Sequence, residues 1–128
     1  MNTKLLMSLS ALFMAALGVV ASFLPQETAA HLGSLPDTHV VLLIQIGGAV
    51  YLGFAILNWM GKAVLIGGIY SRPVALGNFL HFAVVAIILL KALFSGFRAN
   101  EIIVGAAIYS VFAIWFGLVL FTHPIPSK

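Results

Sequence analysis

Five strongly polar side chains stand inside the long apolar runs of this sequence: Gln45, Asn58, Asn78, His81 and Lys91. Polar groups are costly in such surroundings, so each needs a partner or a task. Asn58 and Asn78 lie near the same end of two successive runs and are placed to hydrogen-bond to each other. His81 follows Asn78 by three residues and Tyr51 precedes Asn58 by seven, spacings that keep each pair on one helix face. Tyr51, Asn58, Asn78 and His81 form the candidate ligand-binding set, an internal polar pocket for a small apolar or amphipathic molecule. His81 alone among them ionises near neutral pH. Interhelical hydrogen bonding accounts for the same residues, and a general base acting on a lipid or quinone is a further role open to His81. Lys91, three residues from the end of its run, can reach the headgroups as an anchor.

A second cluster lies between the runs. Glu27 and His31 are four residues apart, and Asp37 and His39 flank a single residue. Carboxylates and imidazoles are ligands for a divalent metal, yet this spacing matches no known metal signature. With no cysteine in the chain, disulfides, thiolate metal sites and thiol nucleophiles are excluded. No cofactor motif is present. The runs hold no acid for carboxylate-coupled antiport, which removes exporters of the small multidrug resistance type despite their similar size. A b-type haem would need a second histidine at the depth of His81, and the runs contain none.

The elements that carry these residues follow from composition. Apolar residues make up 62% of the 128, against ~45–50% in soluble domains, and charged residues 7% against ~25%. So few charges cannot cover a water-soluble surface, and the chain reads as an integral membrane protein in contact with the lipid bilayer. Four apolar runs, 5–24, 40–60, 74–94 and 102–121, each have 20 or 21 residues. At 1.5 Å per residue that is ~30 Å, the thickness of the hydrocarbon core. The predicted fold is all-α: one domain over 1–128, a four-helix transmembrane bundle. Connections of 15, 13 and 7 residues predict antiparallel neighbours in an up-down order.

Lys4 followed by an apolar run and Val20, Ala21 and Ser22 also has the outline of a secretory signal. Twenty apolar residues exceed a usual signal core of ~7–15, so retention as the first helix is preferred. Pro25 is expected to close that helix, Asp37 or Thr38 to cap the second, Ser71 to open the third, and Asn100 with Glu101 to start the fourth. Residues 25–38 read as two turns of interfacial helix ending at Gly33, and 63–70, with Gly67 and Gly68, as a short interfacial segment. His123, with Pro124 and Pro126, reads as an interfacial end to the last helix.

Lys4, Lys62, Arg72 and Lys128 fall on one side, while Lys91 and Arg98 share the other with Glu27, Asp37 and Glu101. The positive-inside rule then predicts that both termini are cytoplasmic. The net charge of +3 is scattered singly rather than gathered on a face, which argues against nucleic-acid binding.

Small residues form stripes suited to helix packing: Ala11, Ala15, Gly18 and Ser22, extended back by Ser8, in the first helix, and Ala106, Ser110, Ala113 and Gly117 in the fourth. The matching stripe of the second is Gly47, Tyr51, Phe54 and Asn58, with Tyr51 and Phe54 expected to fill a groove. These stripes and the lack of reactive groups predict a non-enzymatic protein acting by association, as a homo-oligomer or as an accessory subunit of a larger membrane complex.

Residues 44–59 (IQIGGAVYLGFAILNW), then Gly61 and Lys62, then 72–82 (RPVALGNFLHF), resemble small bacterial four-helix membrane proteins of the broadly DoxX-like kind. The first helix, with Leu24 and Pro25 at its end and Leu32 and Gly33 beyond, is similar to theirs too. The resemblance implies a bacterial inner-membrane protein and brings no catalytic residue with it.

Overall fold

A computed structural model describes residues 2–35, 37–64 and 71–122. The chain is all-α, with five helices: α1 (Thr3–Phe23), α2 (Pro25–His31), α3 (Thr38–Gly61), α4 (Arg72–Phe94) and α5 (Asn100–Thr122). The four long ones have 21, 24, 23 and 23 residues and are long and apolar enough to cross a membrane. On all four, large apolar side chains face outward, such as Leu12, Leu43, Ile46, Leu80, Ile87, Val111 and Ile114. That surface suits hydrocarbon and not water. The expected segment 63–70 lies, from residue 65 on, outside the described residues, as do His123, Pro124 and Pro126.

Helix ends follow local chemistry. Asn2 accepts the Leu5 N–H on its side-chain oxygen at 2.9 Å, capping α1. Pro25 cannot extend α1 and instead begins α2, where its missing N–H is no loss. α2 stops at a glycine in the left-handed region, Gly33 at φ 78°, with the Gly33 N–H bonded to Ala30 O and the Ser34 N–H to Ala29 O. The end of α4 repeats the device at Gly96, φ 96°, with bonds from Gly96 to Leu93 O and from Phe97 to Ala92 O. Two expected caps hold the right positions without their side-chain bonds. Asp37 and Ser71 precede α3 and α4, but neither side chain caps its helix. The Asp37 carboxylate turns to His39 Nδ1 at 3.3 Å.

The described residues gather into two compact units, Met7–Lys62 and Met1–Leu6 with Ala63–Lys128. In the first, α1 and α3 run antiparallel and nearly touch backbone to backbone. A methyl group on Gly48 would lie 2.7 Å from Ser22 N and 2.5 Å from Ser22 Oγ, and one on Gly18 would lie 2.9 Å from Leu52 N. The face of α3 that meets α1 most closely is therefore Gly48, Leu52, Ala55 and Asn58. Of the stripe expected at Gly47, Tyr51, Phe54 and Asn58, Asn58 lies on this face, while Gly47 and Tyr51 sit beside it and line a cleft with α1. Only Gly48 can accept the Ser22 backbone; at Gly47 there is open space.

In the second unit α4 and α5 pair antiparallel through aromatic rings. Phe82, fully buried, stacks on Phe116 (5.6 Å, 11°) and packs against Phe112 at 4.8 Å and Tyr109 at 5.4 Å. Gly117 makes room for Phe79, whose Cε2 would be 3.1 Å from an added methyl. The buried positions Ala106, Tyr109, Ala113, Phe116 and Leu120 advance by three and four, which keeps one side of α5 covered.

Gly47 and Gly48 differ only in facing. Gly48→Ala is expected to destabilise by about 1–3 kcal/mol, since backbone must shift, while Gly47→Ala is neutral or slightly stabilising. Thermal unfolding of the two variants in detergent, followed by helicity, checks the contrast.

Candidate functional site

The four polar residues singled out by spacing fall two to each unit. Asn58 and Asn78 are both fully buried, consistent with the cost of leaving a carboxamide in hydrocarbon. Asn58 Nδ2 donates to Ser10 Oγ at 3.1 Å and approaches Met14 Sδ at 3.9 Å; the Ser10 hydroxyl donates onward to Met7 O at 3.1 Å. This relay joins α3 to α1 near the end of α3. Asn78 Nδ2 bonds back to Val74 O at 2.9 Å, one turn earlier on its own helix. His81, half-buried, sits edge-on to Phe82 at 5.2 Å and beside Tyr109 at 5.9 Å. Tyr51 lines a cleft of about 270 Å³ with Leu17, Val20 and Ala21 of α1 and Thr28 of α2.

Of the candidate metal ligands, Asp37 and His39 meet, but both are largely exposed. Glu27 and His31 lie one turn apart on α2, in its first and last turns. No three such side chains come together among the described residues.

A larger cleft lies between α1 and α3. It encloses about 380 Å³ and is walled by Ala11, Leu12 and Ala15 on one side and Leu52, Ala55, Ile56 and Trp59 on the other. No polar atom lines it. Lys62 Nζ stands 3.0 Å from the centre of the Trp59 ring, a cation–π contact at the end of α3. Spacing had not singled out Ser10, Trp59 or Lys62 as a site. The three-residue step from Trp59 to Lys62 across the end of α3 was the available signal, whereas the Ser10 pairing depends on how α1 and α3 align.

Comparison with protein-family models, curated proteins and solved structures finds no match. What the fold defines is a class: an all-α chain with four helices long and apolar enough to cross a membrane, compatible with a membrane helical bundle.

Removing either end of the relay takes a hydrogen-bond partner from the other. Asn58→Leu or Ser10→Ala is expected to cost about 1–3 kcal/mol. The double variant should cost less than the sum, with a coupling of about 1 kcal/mol for a hydrogen bond between helices in lipid. A double-mutant cycle in detergent or bicelles measures it.

Proposed function

We propose that this chain is a small multi-pass protein of a bacterial inner membrane, broadly DoxX-like, with both termini cytoplasmic, that works by association. It pairs with a second copy of itself; service as an accessory subunit of a larger complex is the variant of this reading. The sidedness of Lys4, Lys62, Arg72 and Lys128 supports the orientation.

The observation that carries association is Gln45. It is exposed on α3, seven residues in from Thr38 and so about 10 Å along the helix, and it makes no side-chain hydrogen bond to any described residue. A bare carboxamide at that depth is unfavourable relative to a bonded one. A carboxamide donates and accepts at once, so two copies of Gln45 brought together by a two-fold axis satisfy each other. Ala49 and Gly53 follow at four-residue steps on the same exposed face, and nothing lies within 4 Å of where a Gly53 methyl would be. That lets a neighbouring helix approach closely.

A second reading is a small apolar or amphipathic ligand held around His81, which is half-buried beside Tyr109. It predicts that His81→Ala loses a co-purifying small molecule in native mass spectrometry, without unfolding.

For association, energy transfer between labelled chains in vesicles should show pairing that weakens about fivefold in Gln45→Leu, as expected for an interhelical bond worth about 1 kcal/mol. Gln45→Asn should keep part of it. Pairing unchanged in Gln45→Leu overturns the reading, and a stable complex with a different protein in place of a dimer selects the accessory variant.

A further inference from the structure

We infer that the cleft between α1 and α3 is a binding site for an anionic phospholipid, with one acyl chain lying in the cleft and the phosphate held at Lys62. The inference rests on the reading that α3 crosses a bilayer. The cleft is walled wholly by apolar atoms, and Leu12, Ile56 and Trp59, which border it, are 59%, 63% and 49% exposed. It is thus open on the side that faces hydrocarbon, and an acyl chain is the apolar solute always present there. Its volume falls in the ~300–1,000 Å³ range of small-molecule sites, large enough to hold part of one chain in preference to the loose contact of a flat helix face. The floor is smooth because Ala11, Ala15 and Ala55 present only methyl groups.

Charge complementarity names the headgroup. Trp59 borders the cleft and Lys62 lies over its ring, so a fixed positive charge stands where the cleft reaches the end of α3. No acidic side chain bonds Lys62 among the described residues. The acids of the same unit, Glu27 and Asp37, lie before α3 begins, some 36 Å of helix away at 1.5 Å per residue. An ammonium donates to phosphate oxygens, and a tryptophan at the boundary between hydrocarbon and headgroups offers its indole N–H at the same level. An apolar trench with a cation at its boundary end fits a lipid that has an apolar tail and a net negative head; a zwitterionic lipid brings its own cation to the same place.

The test uses the full chain with Trp115→Phe, which leaves Trp59 as the single tryptophan. Reconstituted into phosphatidylcholine vesicles, it is titrated with brominated phosphatidylglycerol or brominated phosphatidylcholine, and quenching of Trp59 is read. The expected result is that the anionic lipid quenches at about fivefold lower mole fraction, the size of effect one lysine has on an anionic lipid. Lys62→Gln should abolish that preference, Lys62→Arg should keep it, and Ala15→Leu, which fills the cleft, should reduce quenching by both lipids. Equal quenching by both lipids, or a preference that survives Lys62→Gln, overturns the site alone. Absence of quenching by either lipid overturns the membrane-crossing reading as well.

Discussion

Helices surrounded by hydrocarbon gain little by burying apolar side chains against one another, because lipid tails are as apolar as leucine. Whatever holds them must come from close backbone approach, ring packing or hydrogen bonds. The contact of Gly48 with Ser22 and of Gly18 with Leu52 meets this constraint in the unit Met7–Lys62. There the α1 and α3 backbones come so close that a single methyl group has no room. The Asn58 to Ser10 bond then adds direction to a contact that small residues alone leave free to slide.

The α4 and α5 pair solves the same problem with bulk. Phe82 reaches Tyr109, Phe112 and Phe116, and Gly117 clears space for Phe79. Offset and edge-on rings contribute attraction beyond the area they cover, which compensates for the weak solvophobic drive. Small residues mean different things in the two units: on α1 they let backbone meet backbone, and on α5 they make pockets for rings.

Side chains at the margins follow from the same solvent. Lys91 is exposed one turn before the end of α4, where a long stem can carry its charge outward. Lys62 rests on Trp59 at the end of α3, so its charge is held where the cleft ends and is not lost to water. Gln45 differs from both, being too short to reach the boundary from its depth, and its exposure is what points the proposed reading toward a partner.

Composition and run length determined by themselves that the chain is all-α with four membrane-length helices, because the need to satisfy every backbone group in lipid leaves helices as the form such runs take. The glycine stop at Gly33 and the switch at Pro25 were equally legible, since φ above zero and a missing N–H are properties of single residues. The candidate polar residues were legible as costly positions but not as pairs. Which atom Asn58 meets, and that Gly48 and not Gly47 meets the α1 backbone, depends on the rotation and alignment of two helices. In a helix apolar on every side, no periodicity marks the buried face. The tertiary structure alone decided that, because the outcome rests on a fit of surfaces a few tenths of an ångström wide between residues more than twenty positions apart.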